Sequence, residues 1–339
     1  MELDNLEPRI LKDPNQILNY LQYGTNLPII SKLKKYILED LISLKAELIL
    51  LLEDGNPSGI TLVYSDKDKT LYFGYFKVLN DNEIKIDFLI EELINYAKRG
   101  DFKFIEGPIN IPTIIFGWGF QESGKDSIFI GKPINSPIYQ QRFLKKKFTI
   151  KNRQESYFFS PIPNFDPLKI KKYNYRDYKY FNPKNFEDFL NLKDEFLKIQ
   201  AKNLPKSSQI TPNSEKLVEN YAKFIFEFGF NFMIQFVKHK PSQKIIACGA
   251  AIPNVFRKNL NGKIDSCAIF TAAINKKHRG MGIGTFMFGK TSQLLHKNNI
   301  RDGSAPIDPN NLVIKNLLEN LGGRKSRTHI ILEKKIKKD

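Results

Sequence analysis

The stretch Ala272-Ala273-Ile274-Asn275-Lys276-Lys277-His278-Arg279-Gly280-Met281-Gly282-Ile283-Gly284 decides how the rest of the chain is read. An apolar, strand-like run passes into Arg-Gly-x-Gly-x-Gly, and a helical pattern follows at once from Ile283 to His296. Three glycines within five positions let backbone N–H groups approach a ligand closely. The helix start behind them carries unpaired donors and partial positive charge. Such a turn is a cradle for a diphosphate.

The glycine spacing excludes two common owners of such a cradle. A dinucleotide site needs Gly-x-Gly-x-x-Gly early in a βαβ unit, whereas Gly280, Gly282 and Gly284 follow strands that read as an antiparallel meander. A Walker A loop ends in Gly-Lys-Ser/Thr, and Gly284-Thr285-Phe286 does not.

Working outward, strands are expected at Phe232 to Val237, Ile245 to Ile252 and Ile264 to Ile274, with helices at Phe186 to Ile199 and Ser214 to Phe228. Beyond the loop come a short helix, Asn311 to Asn320, and a last strand, Thr328 to Lys335. In the first half, residues 1 to about 40 read as helical, with Leu33, Tyr36, Ile37 and Leu41 at helical spacing. Strands then read at Glu47 to Leu52, Gly59 to Tyr64 and Leu71 to Val78, followed by a helical stripe of Phe88, Leu89, Leu93, Ile94 and Ala97 that stops at Gly100. Phe102 to Ile105 is a further strand, Ile138 to Leu144 a short helix, and Phe148 to Phe159 strand-like. Ser160-Pro161-Ile162-Pro163-Asn164-Phe165-Asp166-Pro167 has no periodicity and reads as a linker. The expected division is therefore 1–160, a linker at 161–170, and 171–339. A short helix with a basic, strand-like tail occurs in both halves, from Pro137 to Phe148 and from Asn311 to Gly322, which suggests a duplicated unit.

Composition adds bounds. At 339 residues, 41% hydrophobic and 26% charged, the chain is that of an ordinary globular protein large enough for two cores. No run approaches the ~20 apolar residues of a membrane span, and the acidic start Met1-Glu2-Leu3-Asp4 lacks the apolar run of a secretory signal. Two cysteines, Cys248 and Cys267, make no disulfide framework and fit a cytoplasmic location. The dispersed histidines and cysteines do not point to a metal. The net charge of +17 raises a nucleic-acid partner, but lysines spread singly and in pairs are first read as solvated surface.

Arg279-Gly280-Met281-Gly282-Ile283-Gly284 resembles the Arg/Gln-x-x-Gly-x-Gly/Ala motif of the GNAT acyltransferase superfamily. Ile274-Asn275-Lys276 stands in the usual Val-x-Pro place, with Lys276 where proline is commoner. Asn311 to Gly323 is similar to the superfamily's Asn-x-x-Ala-x-x-Leu-Tyr-x-x-x-Gly-Phe helix. In the first half, Phe73 to Asp81, Glu106 to Asn110 and Asn135 to Tyr139 resemble signatures of the degenerate first domain of two-GNAT-domain proteins. No glycine lies between Asn80 and Phe88, where that domain's cofactor loop would be, so the first half is expected to bind no CoA and to shape the acceptor site.

The resemblance implies an α/β (α+β) chain of two tandem GNAT-like domains, each a mixed, mostly antiparallel sheet flanked by helices. It also implies an acyl-CoA-dependent acyltransferase of the N-acetyltransferase type. Acetyl-CoA or another acyl-CoA would be held by the amides of Gly280, Met281, Gly282, Ile283, Gly284 and Thr285, with Arg279 adding charge. Ala272, Ala273 and Ile274 would pair with the pantetheine arm, and an N–H near Ala272 would polarise the thioester carbonyl. Asn311 either touches that arm or is an ordinary helix cap. Direct attack by an amine, on a small molecule or a peptide, needs a base and an acid. Asp265 is the candidate base, against its reading as a turn residue. Leu318 stands where many members carry the acidic tyrosine. Three residues have bland readings: Cys267 as core, His278 as a loop residue beside the phosphates, and Trp118 as a packed loop residue or an acceptor-pocket wall. The alternatives are a CoA-binding regulatory or scaffold protein without catalysis and a nucleic-acid-associated acyl or aminoacyl transferase. The oligomeric state is not readable.

Overall fold

The computed structural model describes residues 5–65, 69–124, 127–204 and 215–337. The chain begins with strand β1 (Leu6–Leu11), helices α1 (Pro14–Leu21) and α2 (Lys34–Ser43), and strands β2 (Glu47–Glu53), β3 (Asn56–Ser65) and β4 (Thr70–Val78). Helix α3 (Glu83–Arg99) follows, then β5 (Phe104–Gly107), the single turn α4 (Thr113–Phe116), β6 (Phe120–Gly124), α5 (Pro137–Lys145) and β7 (Thr149–Phe159). The second series is β8 (Tyr178–Phe181), α6 (Phe186–Leu190), α7 (Lys193–Asn203), α8 (Glu215–Glu227), β9 (Ile234–His239), β10 (Lys244–Pro253) and β11 (Ser266–Ile274). It ends with α9 (Ile283–Lys297), β12 (Asp302–Ile307), α10 (Leu312–Asn320) and β13 (Arg324–Lys335).

Local chemistry explains most boundaries. Asn82 caps α3 by accepting from the Lys85 amide at 3.1 Å, and the helix buries Ile86, Leu89, Ile90, Leu93, Ile94 and Ala97 at the three- and four-residue steps of one face. Asp13 caps α1, and Pro14 sits at the first helical position, where its missing N–H costs nothing.

Three expectations need correction. The start of the chain is not wholly helical: β1 pairs antiparallel with β2, although it buries only Leu6 and carries no alternating burial pattern to read. The helix expected over Phe186 to Ile199 is broken into α6 and α7 at Asn191–Leu192. The proline-rich linker is packed: the Ile162 amide donates to the Arg301 carbonyl at 2.6 Å, His296 Nε2 meets the Ile162 carbonyl at 2.6 Å, and Ile162 is buried.

The chain forms two compact units, Met1–Gln154 with Arg327–Asp339, and Glu155–Ser326. The expected contiguous halves meet this division only in part, because the last strand belongs with the first unit. Unit one has the order β1-β2-β3-β4-β5-β13-β6, antiparallel throughout except for β4 and β5. Unit two has β8-β9-β10-β11-β12, completed by residues 155–159 of β7, with β11 and β12 its one parallel pair. Each unit is thus a mixed, mostly antiparallel sheet with helices packed on it. In each, an antiparallel meander leads through a helix, α3 or α9, to a parallel neighbour.

The unit one core is aromatic. Phe143 stacks on Phe73 at 5.0 Å and meets Phe76 and Phe148 edge-on at 4.9 Å, with Phe120 at 5.3 Å. Unit two packs Tyr175, Val237, Ile246, Ile283, Phe286 and Met287 into a core that reaches the start of α9. Among the described residues no helix is long and apolar enough to cross a membrane.

Phe143 is fully buried against four other rings, so removing it leaves a cavity in the core of unit one. Phe143→Ala is expected to destabilise the protein by about 3–5 kcal/mol and Phe143→Leu by clearly less, read from urea unfolding midpoints.

Candidate functional site

In unit two, β11 and β12 are paired only from Ser266↔Asp302 to Ala268↔Ser304. Beyond that point β11 continues alone on this side, still paired to β10 on the other. The separation begins at a bulge: Ala251 faces Ile269 and Ala250 faces Thr271, so Phe270 is an extra residue that bends the strand. Its ring meets Tyr221 of α8 edge-on at 6.2 Å.

Which backbone groups face the open side follows from alternation. The Asn275 amide donates to Ile246 of β10, so position 275 points inward. No register shift intervenes back to Thr271, so Ala273 also points inward, while Ile274 and Ala272 turn their N–H and C=O outward. The Ile274 carbonyl confirms the phase by accepting from Arg279 Nε at 3.2 Å. Ala272 is exposed, Ala273 buried and Ile274 half-buried, as on an open strand arm. Thr271 Oγ1 is buried with no hydrogen-bond partner.

The glycine turn joins this arm to α9. Gly280 and Gly282 both lie in the left-handed region, at φ 77°, which glycine enters without strain. Gly282 caps α9 and has no side chain to satisfy the first-turn amides. Among the described residues no protein group accepts from the amides of Gly280 to Thr285. Gly282 is also held from below. Its carbonyl accepts from the Tyr175 hydroxyl at 3.2 Å, Tyr175 stacks on Phe286 at 4.8 Å, and a Cβ at 282 would come within 2.5 Å of the Tyr173 ring. Ile283 is buried in the core, which fixes the helix start, and Met281 is exposed.

Arg279 is placed differently from expectation. Its Nη2 donates to the Asn203 carbonyl at 2.6 Å and its Nε to Ile274, so the side chain ties the loop to the end of α7. Asn203 completes the tie by accepting from the Lys276 amide at 3.1 Å. Nothing in the sequence marked Asn203, Tyr173 or Tyr175, because each acts through a contact remote in the chain. His278 lies with its Nδ1 3.2 Å from the Tyr178 hydroxyl and its ring 4.9 Å from that of His239. Burial and the neighbouring His239 push its pKa down, which favours the neutral imidazole.

Asp265 is not on the open arm. It immediately precedes β11 at the closed end of the fork, seven residues and roughly 23 Å of strand before Ala272. Its carbonyl accepts from the Arg301 and Asp302 amides, and Arg257 lies between its carboxylate, at 3.4 Å, and that of Asp302, at 2.5 Å. Asn311 caps α10, accepting from the Ile314 amide at 3.3 Å. Leu318 is buried, and its neighbour Glu319 accepts from the Tyr157 hydroxyl at 3.0 Å. Burial and Glu319, with Glu155 behind, raise the Tyr157 pKa and keep it protonated. Cys267 is buried and its thiol pushed up to about 12, as befits a core residue. Among the described residues no group of three or more His, Cys, Asp or Glu side chains could hold a metal ion.

Unit one has the same frame with different contents. β4 and β5 pair from Thr70↔Phe104 to Tyr72↔Glu106 and then separate, and β4 carries a register shift opposite Ile60–Leu62. Here the chain fills the gap. The Ile109 amide donates to Phe73 at 2.7 Å, Asn110 Oδ1 accepts from the Tyr75 amide at 2.7 Å, and the Tyr139 hydroxyl meets both the N–H and the C=O of Val78 at 3.2 Å. The Asp81 carboxylate, in the turn before α3, bonds the same hydroxyl, and Asn82 takes a first-turn amide of α3. Trp118 is buried and bridges Ile109 within this filling segment.

No family model and no curated protein matches the chain. Solved structures do. A tandem GNAT protein from the clavulanic acid biosynthesis pathway is 11% identical, with a TM-score of 0.59 over 98% of this chain and 99% of that one. The GCN5-related glucosamine N-acetyltransferase region of a fungal multi-domain GH3 β-N-acetylglucosaminidase is 14% identical, with a TM-score of 0.64 over 97% of this chain and 38% of that one. A GCN5-related N-acetyltransferase from Sphaerobacter thermophilus is 10% identical, with a TM-score of 0.57 over 98% and 96%. The chain therefore has the tandem GNAT fold.

The glycine turn gives a direct check on this geometry. Gly280→Ala adds only the left-handed strain of about 1–2 kcal/mol, since nothing lies within 4 Å of its Cβ position. Gly282→Ala adds the same strain and a collision with Tyr173. Its thermal midpoint is expected to fall clearly below that of Gly280→Ala, and equal midpoints would contradict the packing of Tyr173 under the turn.

Proposed function

We propose that the chain is an acyl-CoA-dependent N-acetyltransferase whose acyl-CoA site is the open arm of β11 and the uncapped start of α9. The observation that carries this reading is the contrast between the units. Among the described residues the amides of Gly280 to Thr285 have no protein acceptor and Ala272 stands exposed on the open arm, while the matching places in unit one are filled by Asn82, Asp81, Tyr139 and Ile109–Asn110. Unit one accordingly takes no CoA.

The residues present fit the group. Amides at a helix start suit a diphosphate, and the outward N–H and C=O of Ala272 suit the amide-bearing pantetheine arm as an added strand. Bound there, an acyl-CoA supplies an acyl group activated as a thioester. The chain's own part is to orient it: Tyr175 and Ile283 fix the turn, Arg279 and Asn203 hold the loop against α7, and the Ala272 N–H donates where negative charge develops on a carbonyl oxygen. The acceptor is an amine, on a small molecule or a peptide, attacking directly. Asp265 is too far along the strand and too committed to Arg257 to serve as its base.

One observation favours a second reading, a CoA-binding protein without turnover: Leu318 carries no proton, and the adjacent Tyr157 hydroxyl is engaged with Glu319.

Calorimetric titration with acetyl-CoA is expected to show one site per chain. Gly280→Asp, whose residue tolerates the left-handed region, should weaken it at least tenfold by placing a carboxylate among the amides. No heat from the wild type would sink the acyl-CoA site. Release of free thiol from acetyl-CoA across a panel of amines then separates the readings: turnover supports the enzyme, and saturable binding without thiol release supports the second.

A further inference from the structure

Two histidines stand beside the glycine turn, and the proposed transfer uses neither. His278 closes the short turn Lys276–His278 directly before Arg279, two positions from Gly280. Its Nδ1 lies 3.2 Å from the Tyr178 hydroxyl, and that hydroxyl also lies 3.3 Å from Met281 Sδ, in the glycine turn itself. Tyr178 thus ties the imidazole to the turn. His239 sits opposite Tyr178 in the β8–β9 pair, its ring 5.4 Å from the tyrosine's and 4.9 Å from that of His278. Its Nδ1 lies 2.9 Å from Ser242 Oγ. All three rings are half-buried.

The groups around the pair are mostly basic. Tyr178 comes from β8, with Asp177 just before it; burial and Asp177 raise the pKa of the phenol, so it stays protonated. Lys244 of β10 stands opposite His239, and Lys240 follows the end of β9. The loop adds Lys276, Lys277 and Arg279, the last already spent on Asn203 and Ile274. Asp177 is the one acid of this set, and among the described residues no carboxylate bonds either imidazole.

A proton on His278 fits the hydrogen bonds already present. Nδ1 then donates to the Tyr178 oxygen, which leaves the phenol proton for Met281 Sδ. What opposes the proton is burial first and the second imidazole next, and both push His278 below its ordinary value. An anion on the neighbouring amides reverses that balance, because it brings the negative charge that the pair lacks.

We propose that the site is proton-linked: when a diphosphate settles on the amides of Gly280 to Thr285, the His278–His239 pair takes up a proton from solvent, so the ligand is held more tightly as the pH falls. This linkage rests on the acyl-CoA reading of the glycine turn. The sign follows from His278. In the free chain it is neutral at pH 7 and above, and the bound anion raises its midpoint. Between the two midpoints the complex holds a proton that the free protein lacks, so affinity climbs as the pH falls through that window and is level above it.

Histidines labelled at ¹³Cε1 in the full chain give the direct readout, the His278 signal being assigned by its loss in His278→Gln. Its midpoint is expected below about 6.5 in the free chain and at least about half a unit higher with saturating acetyl-CoA. Calorimetry with dephospho-CoA gives the slope, because that probe lacks the phosphate monoester that would itself ionise near about pH 6. Its affinity should rise about threefold or more from about pH 8 to about pH 5.5. Heats that differ between buffers of unlike ionisation enthalpy should show the proton uptake. His278→Gln should flatten the slope, and His239→Gln should raise the ligand-free midpoint of His278 by removing the like charge. A His278 midpoint that acetyl-CoA binds without moving, or a slope that survives in His278→Gln, overturns the linkage and leaves the acyl-CoA site standing. Acetyl-CoA that fails to bind at any pH removes both.

Discussion

A parallel strand pair that separates after three residues is the constraint around which each unit is built. Once β12 leaves β11, or β5 leaves β4, a row of backbone N–H and C=O groups loses its partners. Buried and unpaired, each such group costs about 1–3 kcal/mol, so the fold must fill the gap, wet it or lend it to a ligand. Most of the local structure on the two open arms follows from which answer each unit takes.

Few residues make the difference. A side-chain cap at Asn82 closes the helix start in unit one, whereas Gly282 in the same role leaves the amides of α9 bare. From α5, Tyr139 reaches the end of β4 with a hydroxyl that serves an N–H and a C=O together. From α10, Glu319 turns instead to Tyr157, and Leu318 is buried. The glycines therefore matter less for freedom of motion than for what they omit. At 282 the missing side chain leaves room for the Tyr173 ring below and puts no acceptor before the amides above.

What could be read from sequence divides along the same lines. Elements whose cause is local were legible: the stripe of α3, the glycine turn and start of α9, and the meander of β2 to β4 all carry their periodicity or their caps in the chain itself. The tandem GNAT fold followed from motifs of this local kind. The misses are elements held by distant partners. β1 buries only Leu6 and exists by pairing with β2; β12, Asp302–Ile307, is too small and polar to read as a strand and exists by lying between β11 and β7. The site shows the same limit. The amides of 280 to 285 were readable, but the binding of Arg279 to Asn203 and the commitment of Asp265 to Arg257 depend on folds of the chain that bring 76 and 8 positions of separation together.

A shared frame does not give the two units a shared use. In unit two one of the buried polar atoms without a hydrogen-bond partner among the described residues, Thr271 Oγ1, lies on the open arm itself, next to the bulge. In unit one the matching arm is satisfied from within, by Ile109, Asn110 and Tyr139. The two units therefore answer the same open arm differently, one with side chains of its own and the other by leaving bare backbone amides of the kind that suit a diphosphate.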